Sequence, residues 1–135
     1  MASKLKQTVS RKKSTNPVAA KVTGAGKIYI KASRNNTIIT GANAKGETVG
    51  WQSGGRYFKN SRKSTSEAAE VAGKKLGEYL KSLGMGTVAV YLNGVGQGRE
   101  GALRGLVLSG LTVSHIHDVT GIAHNGVKKK KQQRK

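Results

Sequence analysis

Residues 27–53 read KIYIKASRNNTIITGANAKGETVGWQS, and this stretch decides the class of fold. Over its first seven positions Ile28, Ile30 and Ala32 alternate with polar residues and Tyr29, the period of two that is typical of a half-buried strand. SRNN at 33–36 is a turn. TIITGA at 37–42 and ETVGWQS at 47–53 are further β-type runs, joined by NAKG as in a hairpin. The stretch therefore predicts an antiparallel three-stranded meander.

A helix is predicted after the meander. STSE at 64–67 fits a capping box, in which the Ser64 hydroxyl accepts a hydrogen bond from the backbone three residues on and Glu67 reaches back. An apolar stripe at helical spacing follows, and Gly84 is a natural C-terminal stop. The stripe consists of Ala68, Ala72, Leu76, Leu80 and Leu83, with Ala69 and Tyr79 beside them.

The remaining core is a strand, a helix and a strand. TVAVYL at 87–92 is short, apolar and β-branched, which suggests a strand covered on both faces. A helix at about 99–109 has an apolar side made of Ala102, Leu103, Leu106 and Val107 and stops at Gly110, and LTVSHIHD at 111–118 is the last strand. The order β-β-β-α-β-α-β predicts an α/β fold with one mixed five-stranded sheet, an antiparallel meander and two helices.

Charge divides the chain into three parts. Its 135 residues carry 25 Lys and Arg against 6 Asp and Glu, a net charge of +19, and residues 1–25 and 127–135 each hold six cations and no acid. Such ends lack the apolar surface that would offset the entropy of ordering, so we expect them to become fixed only against a polyanion. The predicted parts are a basic arm at 1–25, an α/β core at 26–118 and a basic tail at 119–135.

The composition favours nucleic acid over membrane as the polyanion. No apolar run approaches the roughly 20 residues that span a bilayer, and the long helical pattern mixes acids with bases. Cysteine is absent, which excludes disulfides and thiolate metal sites. The N-terminus lacks the apolar run of a secretory signal, and its acid-free composition suits an RNA-binding arm better than the mitochondrial presequence it is also similar to.

GGRYFKNSRKS at 54–64 is the first candidate for RNA contact. It interleaves four cations with two aromatic residues, namely Arg56, Lys59, Arg62, Lys63, Tyr57 and Phe58. Cations contact phosphates and aromatic faces stack on unpaired bases, while the N-terminus of the next helix also favours phosphate. The alternative is a solvated loop in which Phe58 fills the edge of the core.

GVGQG at 94–98 is the second candidate. The glycines at 96, 98 and 101 match the G-x-G-x-x-G dinucleotide pattern, and Asp118 lies near the end of the next strand. Only 17 residues follow Asp118, too few for the further strands of such a fold, so we expect no nucleotide cofactor. The glycines would instead let a phosphate approach the backbone, with Arg99 as its charge partner. A tight strand-to-helix turn is the structural alternative.

Neither a metal site nor catalysis is expected. His115 and His117 lie on one face of a strand, but no carboxylate is arranged to complete a metal site unless Asp118 bends round. The six acids are scattered, and no Ser or Thr has an evident base. Two rival classes stay open at this point: an enzyme of the ribonuclease-H-like type using metal and carboxylates, and a free nucleic-acid chaperone or DNA-compacting protein.

Four segments carry a family resemblance: KASRNNTIIT at 31–40, SRKST at 61–65, GVGQGREGALRGL at 94–106 and DVTGIAHNG at 118–126. In this order and spacing they resemble the family of small-subunit ribosomal protein S11, in the bacterial type that plastids and mitochondria share. The resemblance implies a ribonuclease-H-like fold without nuclease activity. It also implies a place on the platform of the small subunit near the messenger exit region, in a bacterial or organellar ribosome. The implied partners are small-subunit ribosomal RNA, neighbouring platform proteins and messenger RNA near the exit.

The resemblance further implies a set of RNA contacts. They fall in the first turn, the loop, the Gly-rich turn and the ending: Asn35, Asn36, Phe58, Lys59, Ser61, Arg62, Lys63, Ser64, Gly96, Gly98, Arg99, His124, Asn125 and Gly126. The charges of Lys128, Lys129, Lys130 and Lys131 match those of the family tail, and Arg34 and Arg56 complete the predicted set as phosphate-seeking cations.

The chain also departs from the family pattern. Arg34 stands where the family usually has Phe, and the loop before Phe58 is one residue short, with Arg56 and Tyr57 where small residues are usual. Three further positions lack the usual residue: Gly121 and Ala123 replace prolines, and Val127 replaces a cysteine. Lysines at 128–131 follow in place of Arg-Pro-Pro, so we expect the tail to be less stiff before binding.

Overall fold

A computed structural model describes residues 24–131, which form one five-stranded sheet with helices beside it. The strands are β1 (Ala25–Ala32), β2 (Thr37–Asn43), β3 (Thr48–Ser53), β4 (Thr87–Asn93) and β5 (Thr112–Asp118). The helices are α1 (Gly54–Tyr57), a 3-10 helix (Asn60–Ser64), α2 (Ser66–Ser82) and α3 (Gly98–Leu108). The predicted α/β order is confirmed, and the predicted link 54–64 contains two short helical turns in addition. Most of the predicted arm, and the last four residues of the tail, lie outside the described residues.

The strand order is β3-β2-β1-β4-β5. β2 is antiparallel to both β1 and β3, whereas β4 is parallel to both β1 and β5. The predicted mixed sheet is therefore confirmed, while the ribonuclease-H-like label stays an implication of the resemblance. β1, β3, β4 and β5 all run in one direction, so all four finish at the same end of the sheet, here called the carboxyl end.

The core lies between the sheet and the two longer helices. The inward residues of β1, including Ile28 and Ile30, and Val88 and Val90 of β4 are fully buried against Leu76 and others of α2 and α3. The alternation predicted for β1 is thus confirmed. Two residues of the predicted apolar stripes lie outside this core: Tyr79 is 40% exposed and Val107 is 59% exposed.

The opposite face of the sheet is open, and the prediction that β4 is covered on both faces was wrong. Along β4, buried residues alternate with partly exposed ones, among which Tyr91 lies on the open face. This alternation could not be read from TVAVYL, because Ala89 and Tyr91 on the open side are hydrophobic residue types like their buried neighbours. Tyr29 of β1 pairs with Tyr91 in register and shares its face.

Small residues allow α2 and α3 to pack closely. A Cβ on Gly73 would overlap the backbone of Ala102 in α3, and one on Gly105 would overlap the backbone of Glu70 in α2. At each of these two glycines, the backbone of the other helix comes closer than a larger side chain would allow. This packing places the first turns of both helices beside the carboxyl end.

The start of α2 differs from its prediction by one residue. Thr65 is the N-cap, and its hydroxyl accepts a hydrogen bond from the Ala68 N–H at 3.3 Å. Ser64 belongs to the preceding 3-10 helix, where its hydroxyl donates to the Ser61 carbonyl at 2.7 Å. The capping role predicted for Ser64 was therefore wrong, because the preceding turn already uses its hydroxyl.

Candidate nucleic-acid interface

The carboxyl end collects four loops: residues 33–36 after β1, 54–64 after β3, 94–97 after β4 and 119–131 after β5. Of the predicted RNA-contacting residues, all but Gly98 and Arg99 lie in these loops, and those two begin α3 directly beside them. The sheet topology thus brings together candidates that are up to about a hundred positions apart in the chain.

The turn after β1 is held by its own side chains. The Ser33 hydroxyl donates to the Asn36 carbonyl at 2.9 Å and accepts from the Asn36 N–H at 3.1 Å. The Asn36 side-chain oxygen accepts from the Thr37 N–H at 2.9 Å and the Gly55 N–H at 3.0 Å. Asn36 therefore fixes this turn to the start of α1, and its oxygen serves the protein itself. Arg34 and Asn35, in contrast, are exposed.

Three of the loops meet around a surface groove. It has a volume of about 370 Å³ and is lined by Arg34, Ser64, Val95, Gly96 and Gln97. The predicted residues Arg34, Ser64 and Gly96 are thus neighbours in space, although they come from the first turn, the loop and the Gly-rich turn. No sequence signal identifies Val95 and Gln97 as lining residues, since neither side chain type marks an RNA site.

The 54–64 segment presents its cations to solvent around two helical turns. Lys59, Arg62 and Arg56 are exposed, while Lys63 and Phe58 are half-buried. Arg56 is also held by the protein: one of its guanidinium nitrogens donates to the Gln52 side-chain oxygen at 3.1 Å. Its guanidinium carbon lies 5.9 Å from the centre of the Trp51 ring.

The Gly-rich turn packs against protein backbone. Gly94 has a φ of +101°, which glycine adopts freely, and a Cβ there would overlap the Ala32 carbonyl. A Cβ on Gly96 would overlap the Ser33 carbonyl, and one on Gly98 the Thr37 hydroxyl. The Gly96 N–H already donates to the Ala32 carbonyl at 3.0 Å. Close contact with β1, the following turn and the first residue of β2 explains these glycines, and a phosphate contact at Gly96 and Gly98 stays a prediction.

Arg99 is tied to the end of β5. Its guanidinium donates to the Asp118 carboxylate and, at 2.7 Å, to the Gly94 carbonyl. The Thr120 hydroxyl donates to the Asp118 carboxylate at 2.6 Å and accepts from the Gly94 N–H at 3.1 Å. Asp118 balances the charge of Arg99 within the protein, and the phosphate contact predicted for Arg99 stays a prediction. The sequence did not point to Thr120.

These contacts also shift the ionisation of Asp118. Hydrogen bonds from Thr120, and then from Arg99, stabilise the carboxylate and lower the pKa of Asp118 from its ordinary 3.8 to about 2. The carboxylate therefore stays ionised and keeps Arg99, Gly94 and Thr120 together. This network fixes where the tail leaves the sheet.

The first part of the tail crosses the carboxyl end without regular secondary structure. The Val119 N–H donates to the Leu92 carbonyl at 2.8 Å, which continues the β4–β5 pairing by one bond. Asn125 and Gly126 both have positive φ, 65° and 107°, so the chain turns sharply after His124. All residues from 121 to 131 are exposed, including Lys128–Lys131.

The charged side chains of the four loops are all cationic. The loops contain one arginine in 33–36, four cations in 54–64 and four lysines in 119–131, and no Asp or Glu. The nearest acids are Asp118, bound to Arg99, and two in first helical turns, Glu67 and Glu100. This surface suits a polyanion.

No metal centre is found among residues 24–131, where no three His, Asp or Glu side chains come together. His115 and His117 do share a face, with ring centres 6.1 Å apart, but the His117 ring stacks on Tyr91 at 5.0 Å. Asp118 has not bent round to them, since it binds Arg99. In the same part of the chain, no helix is long and apolar enough to cross a membrane.

Comparison with known proteins decides the family. The sequence model described as Ribosomal protein S11 matches residues 26–134, most of the chain. The chain belongs to the ribosomal protein S11 family. It is therefore a structural protein of the small ribosomal subunit and not an enzyme, and its location is the ribosome.

Curated relatives of this family align over nearly the whole chain. The small ribosomal subunit protein uS11 of Methylobacterium radiotolerans is 44% identical over 129 residues, which cover 95% of each chain. That of Nitratidesulfovibrio vulgaris is 41% identical over 131 residues, 96% of each chain. That of Legionella pneumophila (strain Lens) is 41% identical over 128 residues, 94% of this chain and 97% of the relative. These bacterial relatives agree with the bacterial type that the ending indicated.

Proposed function

We propose that the chain binds small-subunit ribosomal RNA through the four loops of the carboxyl end. The observation that carries this proposal is the groove at which Arg34, Ser64 and Gly96 meet, among loops that contain cations and no Asp or Glu. The proposed position is the platform of the subunit near the messenger exit region, beside other platform proteins and within reach of messenger RNA. There the protein would support subunit assembly and translation.

Some residues of the loops contact RNA through their charge, and others keep the loops in shape. Exposed cations at Arg34, Lys59 and Arg62 reach phosphates, and the tail lysines extend the same surface. Asn36 and the Asp118–Arg99 pair act inside the protein, where they hold the loops in one arrangement before RNA arrives. A surface ordered in advance loses less entropy on binding than a flexible one.

The sharpest test concerns Arg62 and Lys63, the last two cations of the loop. If each neutralises one phosphate, replacing both by Gln should flatten the slope of log affinity against log salt by about 1.4 to 1.8, at roughly 0.7–0.9 per contact. The measurement is binding of the full chain to small-subunit ribosomal RNA over a salt series. Stability should change by less than about 0.5 kcal/mol, since Arg62 is exposed, Lys63 is only half-buried and neither side chain has a hydrogen bond or ion pair among the described residues.

The matched control replaces Lys45 and Lys81 by Gln. Both are exposed and lie at the other end of the sheet, in the β2–β3 turn and the last turn of α2. The two double variants lose the same charge, so diffuse attraction alone predicts equal slopes. Equal slopes would contradict the proposed interface and leave a general polycation.

A further inference from the structure

The open face of the sheet carries a row of aromatic rings across three strands. Tyr29 of β1 pairs in register with Tyr91 of β4, which pairs with His117 of β5. The ring centres of Tyr29 and Tyr91 are 5.1 Å apart and those of Tyr91 and His117 are 5.0 Å apart, each pair inclined by 21°. The rings therefore stack on one another, and among these three only the two outer ring faces, one on Tyr29 and one on His117, are left for a ligand.

The row continues toward the other edge of the sheet, but with a gap. Thr40 of β2 pairs with Tyr29, and Trp51 of β3 pairs with Thr40. Adjacent strands lie about 4.8 Å apart, so the two aromatic positions on either side of Thr40 are separated by roughly 10 Å. One planar ring above Thr40 would lie about 5 Å from the Tyr29 ring, within the range in which aromatic rings pair. The short Thr40 side chain leaves this position empty of any aromatic group.

A depression of about 300 Å³ opens on the same face beside Tyr29. The lining comes from β1, β2, β4 and the tail and consists of Tyr29, Ile30, Lys31, Ile38, Thr40, Tyr91, Asn93 and Val119. Ile38 starts β2 and Asn93 ends β4, so the depression runs from the aromatic row toward the carboxyl end. Val119 is the first residue of the tail, and the depression is therefore continuous with the proposed RNA surface.

The lining is mainly apolar but includes Lys31, Thr40 and Asn93, a combination that suits the apolar ring face and the polar edge of a nucleobase. Lys31 lines the depression, and Lys27 alternates onto the same face of β1, whereas no acid belongs to the lining. The Thr40 hydroxyl and the Asn93 amide offer hydrogen bonds to the polar edge of a base. A hydrophobic segment of a protein would cover these groups without satisfying them.

We propose that this face is a second RNA contact, in which one unpaired base of a single-stranded segment inserts over Thr40 and stacks on Tyr29. Lys27 and Lys31 contact the phosphates on either side of that base. The site extends the proposed function from phosphate contact at the carboxyl end to base stacking on the sheet.

The test uses the full chain and a short single-stranded oligouridylate that carries one 2-aminopurine, whose fluorescence falls on stacking; uridines stack weakly, so the probe is bright before it binds. The Tyr29→Ala change should weaken binding by about 5- to 150-fold, the range found for removal of one stacking partner. Thr40→Phe should cause a similar loss while the protein stays folded, because the new ring occupies the place of the base. The control Tyr79→Ala removes an equally exposed tyrosine, at 40% against 41%, from α2 and should leave the affinity unchanged.

Three results would overturn the proposal. In the first, Thr40→Phe binds the oligonucleotide and quenches its fluorescence as the unmodified chain does; this variant decides alone if Tyr29→Ala fails to fold. In the second, an oligonucleotide of the same length with an abasic site in place of the 2-aminopurine binds as tightly as the 2-aminopurine oligonucleotide. In the third, RNA binding by Tyr29→Ala is unchanged but a neighbouring ribosomal protein is lost from the subunit, which would make the face a protein-docking surface.

This test and the test of the proposed function can succeed or fail independently. Tyr29→Ala removes no charge and should leave the salt slope as it is, whereas the Gln variant at 62 and 63 should flatten that slope and keep the fluorescence quenching. If the prediction for one surface fails, the result for the other surface is therefore unaffected.

Discussion

At the scale of single residues, several polar side chains that the sequence assigns to RNA are already bonded within the protein. Asn36 accepts two backbone N–H groups, and Arg99 donates to Asp118 and to the Gly94 carbonyl. Their residue types are those that bind phosphate or bases, but the same donors and acceptors also fix loops. Arg34 and Lys59, by contrast, are exposed and are better candidates for direct contact.

The Asp118 network predicts a specific dependence of stability on pH. Because the folded-state pKa is about 2 and the ordinary value is 3.8, the stabilisation is fully present above 3.8 and is lost as the pH falls toward 2. Denaturant unfolding of the natural chain and of Asp118→Asn measures it. The difference in unfolding free energy should be constant above 3.8 and shrink below it. A difference that does not change over this interval would show that the carboxylate contributes nothing through ionisation.

At the scale of elements, two short helical turns shape the loop between β3 and α2. α1 is joined to the first turn through the Gly55 N–H and Asn36, and the Phe58 N–H closes α1 on the Gly54 carbonyl at 3.0 Å. The 3-10 helix then ends where Thr65 begins α2, and its last turn carries Arg62 and Lys63. The loop cations are therefore mounted on hydrogen-bonded turns.

The two neighbouring hydroxyls at this junction should differ in their effect on stability. Thr65→Ala removes the N-cap of α2 and should lower the free energy of unfolding by about 0.5–2 kcal/mol. Ser64→Ala removes a hydroxyl that bonds only the local Ser61 carbonyl and should cost less. Chemical denaturation of both variants measures the difference. A larger loss for Ser64→Ala would restore the capping box read from the sequence.

At the scale of the whole molecule, four of the five strands point the same way, and this places the cationic loops together. The described part of the chain begins at residue 24, at the opposite end of the sheet. There the Gly24 carbonyl accepts hydrogen bonds from the Gly86 and Thr87 N–H groups. The described chain therefore begins at one end of the sheet, and the tail leaves from the other end.

The tail lysines allow a test on assembled subunits. Replacing Lys128–Lys131 by Gln should release the protein from small subunits at lower salt and flatten the salt slope by about 2.8 to 3.6, at roughly 0.7–0.9 per lysine. The control replaces Lys45, Lys74, Lys75 and Lys81, which carry the same charge outside the carboxyl end. Co-sedimentation over a salt series measures both. Release of the two variants at the same salt concentration would indicate that total charge, not the tail, retains the protein.

The element order, the alternation in β1, the basic ends and the family can be read from the sequence, because period, turn chemistry and motif spacing are local properties of the chain. The loop cations can be read too, since charge needs no fold. The predictions for Ser64 and for β4 were wrong, because the preceding turn uses the Ser64 hydroxyl and the helices cover only one face of the sheet. Tyr79 and Val107 are more exposed than the helical stripes predicted.

Which candidates lie close together, and which are hydrogen-bonded within the protein, depends on the tertiary structure. The groove of Arg34, Ser64 and Gly96 exists because parallel strands finish at one end, and the glycines at 96 and 98 are required by contact with residues some sixty positions earlier. The row of Tyr29, Tyr91 and His117 depends on the register between β1, β4 and β5. Register is set by packing across the whole sheet, and no local pattern in the sequence contains it.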